Sequence, residues 1–402
     1  MLSAGRPKRI LIISQFYYPD VTACAFRIKE TADWLAGHGC DVHVIAGEPH
    51  KGKLDNQKIE DGQIKVTRVR LAKCQGKGKW NYIRHYLSFM SGAVYHARFH
   101  RGKFDVVWAS SPPLFTGISG YLIARFKKAG FCLDIRDIWP ESAVVAGQIS
   151  DQGILFKLTK IVEKILYRLA DKITCVANPM ADYIAQTGQV ERPEVIYNAI
   201  PSLMLGKEPP SDRHKFNRFR ILYIGNMGYC QNLSLVIKAA GILREKGCDS
   251  IVFKLVGNGV EKALLENLVK KHQLTNVEIS GLVNKNEAIE LIKTSQALIL
   301  HLKDDGTMDK TIPSKVFDYM TGGNPILFGL KGEAAKILQQ SGGNLYFDPA
   351  SPDELVSQAL KLKQNYPFYA QKAQQNRKMV KKKFLREQMA QKLLNILSQL
   401  SR

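Results

Sequence analysis

Ala297-Leu-Ile-Leu-His-Leu302 is followed shortly by KTIPSKVFDYMTGGNPIL over residues 310–327, and the two together point to one kind of architecture. The first part is a short apolar run of the kind that becomes a strand buried on both faces. The second opens on a polar turn with Pro313, continues as a helix carrying Lys315 and Asp318, and closes on Gly322-Gly323-Asn-Pro, which hands the chain to another apolar run. A strand, turn and helix in this order aim backbone N–H groups at an anion, beside the full positive charge of Lys315. That chemistry suits a nucleotide diphosphate, with Ser314 and Lys315 at the phosphates and Asp318, one turn on, accepting from ribose hydroxyls.

Working outward, the same alternation of strand and helix extends along the chain. Arg9-Ile-Leu-Ile-Ile-Ser14, Asp41-Val-His-Val-Ile-Ala46, Phe104-Asp-Val-Val-Trp-Ala109 and Ile173-Thr-Cys-Val176 are strand runs separated by helical stretches. After Val195-Ile-Tyr-Asn-Ala-Ile200, the polar, Pro-rich Glu208-Pro-Pro-Ser-Asp-Arg reads as a linker. A second series then begins with Arg220-Ile-Leu-Tyr-Ile224 and runs through Pro325-Ile-Leu-Phe328. The expected fold class is α/β, with two Rossmann-like, doubly wound domains facing a central cleft lined by the turns after the strands. The expected boundaries are 1–200 and 201–368. A helical tail over 369–402 is expected to cross back to the N-terminal domain.

The composition agrees. A chain of 402 residues, 45% hydrophobic and 23% charged, is globular and long enough for two cores. It has no apolar run of the roughly 18 to 20 residues that span a membrane and no apolar leader at its start, so the expected location is cytoplasmic. Seven cysteines without C-x-x-C spacing read as thiols, neither disulfides nor metal ligands.

The net charge of +22 is concentrated. Residues 62–104 hold ten Lys or Arg and no acid, and residues 361–402 hold eleven against the single Glu387. With the tail on the N-terminal domain, both segments would form one positive face. Between Trp80 and Phe99, aromatic and aliphatic residues interleave with basic ones, a pattern suited to an anionic membrane surface. Lys79, Trp80, Arg84, Arg98 and Arg101 are its candidate contacts. Nucleic acid would explain the charge too, but no zinc-finger spacing, helix-turn-helix or RNP-type motif accompanies it, and it leaves the Ser314, Lys315 and Asp318 site without a purpose.

Further motifs fall at strand ends. Tyr223-Ile-Gly-Asn-Met-Gly228 offers Gly225, Asn226 and Gly228 for close approach to a pyrophosphate, and Val256-Gly-Asn-Gly259 offers Gly257 and Gly259. Leu133-Asp-Ile-Arg-Asp-Ile-Trp-Pro-Glu-Ser142 places Asp134, Arg136, Asp137 and Glu141 together. Asp137 can orient an acceptor hydroxyl or take its proton, and Arg136 can neutralise a phosphate. No D-x-D pair marks a metal-dependent donor site, and Asp304-Asp305 runs straight into Gly306.

These residues resemble the donor site of glycosyltransferase family 4, whose members share the two-lobed GT-B fold and transfer sugars from nucleotide donors with retention of configuration, without metal. Asp318 takes the second acidic slot of the family's E-G-F-G-x-x-x-x-E helix, Lys310 falls where the first Glu is usual, and Gly323-Asn-Pro-Ile takes the following turn. Asn226 and Gln231 stand where Arg and Lys are usual, so Lys315 supplies the charge. Gly281-Leu-Val283 matches the segment that reads the nucleobase. Gln15-Phe-Tyr-Tyr-Pro-Asp-Val-Thr-Ala-Cys-Ala-Phe-Arg27 resembles the family's first loop, with Arg27 at the donor phosphate or shaping the acceptor site. Asp134 and Glu141 are expected at the acceptor.

The P-S-K-x-F-D-Y-M form is similar to the branch that builds bacterial O-antigens and capsules, especially transferases of N-acetylfucosamine-type sugars. The resemblance implies a UDP-type donor, a polyprenyl-diphosphate-linked acceptor, peripheral attachment to the inner face of the cytoplasmic membrane and no required cofactor. A nucleotide-sugar epimerase of similar two-lobed fold is the nearest alternative.

Overall fold

Strands made almost wholly of Val, Ile and Leu are stable only where helices cover both faces, and the computed structural model places them in two all-parallel sheets. It describes residues 6–49, 64–73, 79–145, 149–206, 218–303 and 308–400. The linker reading at residues 208–213, the Asp304-Asp305 pair and Cys74 lie outside the described residues.

The first unit runs β1 (Arg9–Ser14), α1 (Ala23–Gly37), β2 (Asp41–Gly47), β3 (Lys65–Val69), α2 (Lys79–Phe99), β4 (Val106–Ser111), α3 (Leu114–Lys127), β5 (Gly130–Ile135), α4 (Glu141–Val145), α5 (Ile154–Leu169), β6 (Lys172–Cys175), α6 (Asn178–Gly188) and β7 (Glu194–Val195). The second runs β8 (Phe219–Ile224), α7 (Ser234–Glu245), β9 (Ile251–Val256), α8 (Lys262–Lys271), β10 (Val277–Ser280), α9 (Lys285–Thr294), β11 (Ala297–His301), α10 (Lys315–Met320), β12 (Ile326–Gly329), α11 (Gly332–Ser341), β13 (Leu345–Tyr346), α12 (Pro352–Gln364) and α13 (Tyr366–Lys383). Helix α14 (Arg386–Ser398) completes the chain.

The strand orders are β3-β2-β1-β4-β5-β6-β7 and β10-β9-β8-β11-β12-β13. Each reverses direction once, between β1 and β4 and between β8 and β11, and such reversals open space for ligands beyond the strands' carboxyl ends. Ile12 pairs with Val44 on one side and Trp108 on the other, so β1 is central and fully covered. In the second unit β8 holds the same place between β9 and β11.

The division falls at Asn198 and Ala199, and the segment that rejoins the first unit begins only at Arg386. This corrects the expected return from residue 369. Helix α13 stays in the second unit because Asn376 donates to the Asn324 carbonyl at 3.0 Å, and Arg377 donates to the carbonyls of Leu205 and Thr321 at 2.7 and 3.0 Å. The chain breaks at Phe384 and Leu385, and α14 then packs Leu393, Leu394 and Leu397 into the core around Ile28, Ala32 and Leu35. The single positive face expected from the two basic segments is therefore not formed on one unit. Of the tail's basic residues, only Arg386 and Lys392 among the described ones belong to the first.

Candidate functional site

The second unit's site grows from the carboxyl end of β8. Gly225 has φ 144°, open to glycine, and a Cβ there would lie 2.1 Å from Lys315 Cε. The lysine stem thus lies directly on the Gly225 backbone. Its Nζ donates to the Tyr223 phenol at 2.9 Å and sits 4.9 Å from that ring's centroid. The other two ammonium donors have no partner among the described residues. Burial pulls the Lys315 pKa down to about 8, and nearby Asp318 only partly offsets it. A desolvated cation with two unspent donors beside a glycine turn is a place for an anion.

Two tyrosines hold this geometry. Tyr223 Oη donates to the Asn226 carbonyl at 2.5 Å, fixing the turn. Tyr319 Oη accepts from the Ile224 N–H at 2.8 Å and donates to the Ile224 carbonyl at 3.1 Å. Lys315, Asp318 and Tyr319 share one side of α10 because residues three and four apart do. With only six residues and no side-chain cap from Ser314, α10 brings the site a lysine rather than a long helix dipole.

The glycines divide by purpose. Gly257 has φ 145°, and a Cβ on it would lie 1.9 Å from the Gly225 carbonyl oxygen; one on Gly259 would lie 2.2 Å from that of Met227. Gly225 N–H donates to Val256 at 2.9 Å and Met227 N–H to Asn258 at 2.8 Å, zipping the two turns together. Gly257 and Gly259 are therefore required by backbone packing beneath the site. The Gly228 N–H is occupied by Gln231 Oε1 at 3.0 Å, which corrects its expected role as a ligand donor. Asn226 is exposed, and Val283 is half-buried past the end of β10, whose Ser280 carbonyl accepts from Gly257 at 3.1 Å. His301 is fully buried and bonded to the Asn232 carbonyl at 3.0 Å; burial drops its pKa to about 4, so it is neutral. Beyond β11 and β12 lies a depression lined by Leu302, Lys303, Asp309, Thr311, Pro313 and Lys331 among others.

In the first unit the charges sort themselves differently from expectation. Arg27 donates to both oxygens of Asp134 at 2.5 and 3.0 Å, and Ser110 and Thr174 donate to the same carboxylate at 2.9 and 2.8 Å. The pair is 3% and 0% exposed. Burial alone would push the Asp134 carboxyl up, but Arg27 more than reverses this and holds it below the usual range. Arg27 and Asp134 are spent on each other, which corrects their reading as acceptor contacts. Arg136 is tied to this knot, donating to Ser110 Oγ at 2.8 Å and the Pro112 carbonyl at 2.9 Å.

Asp137 is the exception. It is half-buried and its carboxylate has no hydrogen-bond partner among the described residues. Burial raises its pKa, with Arg136 pulling partly back. Glu141 is engaged instead, accepting from Lys160 at 2.9 Å and Tyr183 at 3.0 Å. Lys160 also binds Glu163 at 2.5 Å, and burial, incompletely offset by Lys160, lifts Glu163 to about 7.

Of the basic helix, the side chains of Lys79 and Trp80 lie outside the described residues. Arg84, Arg98 and Arg101 are exposed, while Phe89, Ala93 and Ala97 are core. Among the described residues no helix is long and apolar enough to cross a membrane, and no cluster of His, Cys, Asp or Glu could hold a metal ion.

Comparison with known proteins assigns the class. Residues 22–199 match the glycosyl transferase 4-like domain and residues 207–379 the family of glycosyl transferases group 1. The chain belongs to these glycosyltransferases and has their GT-B fold. It is 24% identical over 344 residues to the putative colanic acid biosynthesis glycosyl transferase WcaI of Escherichia coli (strain K12), covering 79% of this chain and 83% of that one. Its structure is similar to that of Anabaena Alr3699/HepE in complex with UDP and glucose, with a TM-score of 0.71 and 15% identity over 98% of this chain and 100% of the other. WaaG, a glycosyltransferase involved in lipopolysaccharide biosynthesis, also gives 0.71, at 14% identity over 96% and 99%.

Sequence reasoning missed Tyr223, His301 and the Lys160, Glu163 and Tyr183 cluster. Tyr223 stands two residues before Gly225 in the strand-end motif, but a tyrosine at a strand end looks the same whether it fills a core or orients a lysine.

Proposed function

We propose that this glycosyltransferase moves a sugar, an N-acetylated deoxyhexosamine such as N-acetyl-L-fucosamine, from a UDP donor to a polyprenyl-diphosphate-linked saccharide in the assembly of a bacterial O-antigen or capsule. It retains the anomeric configuration, needs no metal, and works at the inner face of the cytoplasmic membrane. The observation that carries the reading is the Lys315 ammonium, desolvated and laid across Gly225 with donors to spare. The UDP named with HepE and the polysaccharide or lipopolysaccharide synthesis named with WcaI and WaaG support a donor and product of these kinds.

In the reaction the bond between the sugar's anomeric carbon and the diphosphate breaks, and the diphosphate leaves with the electron pair. Lys315, half-buried against the Gly225 turn, neutralises the charge that gathers there, and a cation held in place before the reaction stabilises it best. Asp318 holds the ribose. The acceptor hydroxyl, oriented by Asp137, forms the new bond to the same face, and its proton passes to the departing phosphate. Arg27, Asp134 and Ser110 act through Arg136 and the backbone that presents Asp137.

The test incubates the protein with UDP-, GDP- and dTDP-sugars, with and without a polyprenyl-diphosphate saccharide, and analyses the products by mass and anomeric configuration. Transfer that needs the lipid acceptor and keeps the configuration is expected. Epimer released without acceptor, or no turnover of UDP-sugars, contradicts the proposal.

A further inference from the structure

Helix α5 carries apolar side chains on two opposite faces. Leu166 and Tyr167 turn into the core, whereas Ile154, Leu158, Ile161 and Ile165 are 79, 55, 57 and 47% exposed. Their spacing of four, three and four residues puts them in one stripe running the length of the helix. Single exposed leucines are ordinary, but a continuous stripe of four large aliphatics is not. Lys157, Lys164 and Arg168 border it. The helix's only acid, Glu163, is fully buried and held by Lys160 and Tyr167, at 2.5 and 2.7 Å. Helix α3 packs beside α5 and adds exposed Leu122, Phe126 and Arg125, again without an acid.

We infer that the α5 stripe docks this protein on an anionic phospholipid surface, with Ile154, Leu158, Ile161 and Ile165 entering the headgroup boundary and Lys157, Lys164 and Arg168 meeting the phosphates. Charge complementarity selects this occupant. A second copy seated face to face would bring the same cations together on a chain already at +22, while an anionic bilayer neutralises them. Apolar stripe and basic border together are what an interfacial helix needs. The inference deepens the membrane part of the proposed function and moves its centre from α2, whose exposed aromatics among the described residues are Tyr95 and Phe99 near its end, to α5. It also gives Lys160 a purpose. By binding Glu141, four residues past Asp137, it ties the docked helix to the segment that handles the acceptor hydroxyl.

The test uses the full-length protein and sedimentation with vesicles of phosphatidylglycerol and phosphatidylcholine, against phosphatidylcholine alone, with no donor or acceptor present, so that failure of the transferase reading does not affect it. Binding to the anionic vesicles only is expected. The Leu158→Asn, Ile161→Asn pair is expected to weaken it at least about tenfold. Neutralising Lys157, Lys164 and Arg168 to Gln is expected to weaken it about fivefold per charge, with UDP affinity unchanged in both variants. Hydrogen exchange on the unaltered protein gives an independent reading: residues 154–168 should be protected by anionic vesicles. The inference is overturned by equal binding to neutral vesicles, by unchanged binding of the stripe variant, by protection confined to α2, or by light scattering that shows a dimer lost in the stripe variant while lipid binding stays.

Discussion

Replacing Lys315 with Met should stabilise the protein and cripple donor binding at once. Folding moves the ammonium from a pKa of 10.5 to about 8, and each unit corresponds to about 1.4 kcal/mol, so near neutral pH its burial opposes folding by about 3 kcal/mol. Met keeps the stem that covers Gly225 and removes that burden, so the variant should gain up to that amount. The same change removes charge-assisted bonds to the diphosphate, each worth about 1.5–3 kcal/mol, or at least a tenfold loss of UDP affinity. The pH dependence follows from the lowered pKa. The unfavourable charge is present in full below pH 8 and fades as pH rises from about 8 to 10.5, so the unaltered protein closes the stability gap over that window. A bound diphosphate raises the pKa again, so nucleotide binding takes up a proton above about pH 8 and weakens by about tenfold per unit there. Urea denaturation and calorimetric titration in two buffers of different ionisation enthalpy measure both effects. A variant that binds UDP within about twofold of the original would show that Lys315 does not hold the diphosphate, and one destabilised by more than about 1 kcal/mol would show that its burial does not oppose folding.

Three further outcomes are expected. Arg27→Met strands the Asp134 carboxylate and should cost about 3–5 kcal/mol in urea denaturation, with Asp134→Leu added restoring part of it; a change under about 1 kcal/mol would mean the pair is not the internal tie described. Asp137→Asn should leave melting temperature and UDP affinity intact while turnover falls about a hundredfold, and the original's activity should rise with pH through a pKa above the ordinary carboxylate range. Gly257→Ala forces a side chain onto the Gly225 carbonyl at positive φ and should lose at least about 1–3 kcal/mol together with UDP affinity; an unchanged melting curve would count against the zipped turns.

The alternation of apolar runs and helices was enough to read two parallel sheets, because strands covered on both faces leave an unmistakable pattern. What it could not show was where the tail leaves the second unit. Residues 366–398 are helical almost throughout, and the partners that retain α13, the Asn324 and Leu205 carbonyls, are far away in sequence. Lys315 and Gly225 were legible because a cation and a tight turn are local features. The sealing of Arg27 and Asp134 was not, since a charged residue at a strand end gives no sign of whether water or an opposite charge will meet it. The α5 stripe escaped for a related reason: a helix apolar on both sides reads as core until its neighbours are known.

The most direct measurement is a structure of the protein with UDP bound. Lys315 Nζ is expected within hydrogen-bond reach of a diphosphate oxygen, with that diphosphate seated against the Gly225 turn. A nucleotide held elsewhere, with Lys315 still bonded to Tyr223 and touching no phosphate, would contradict it.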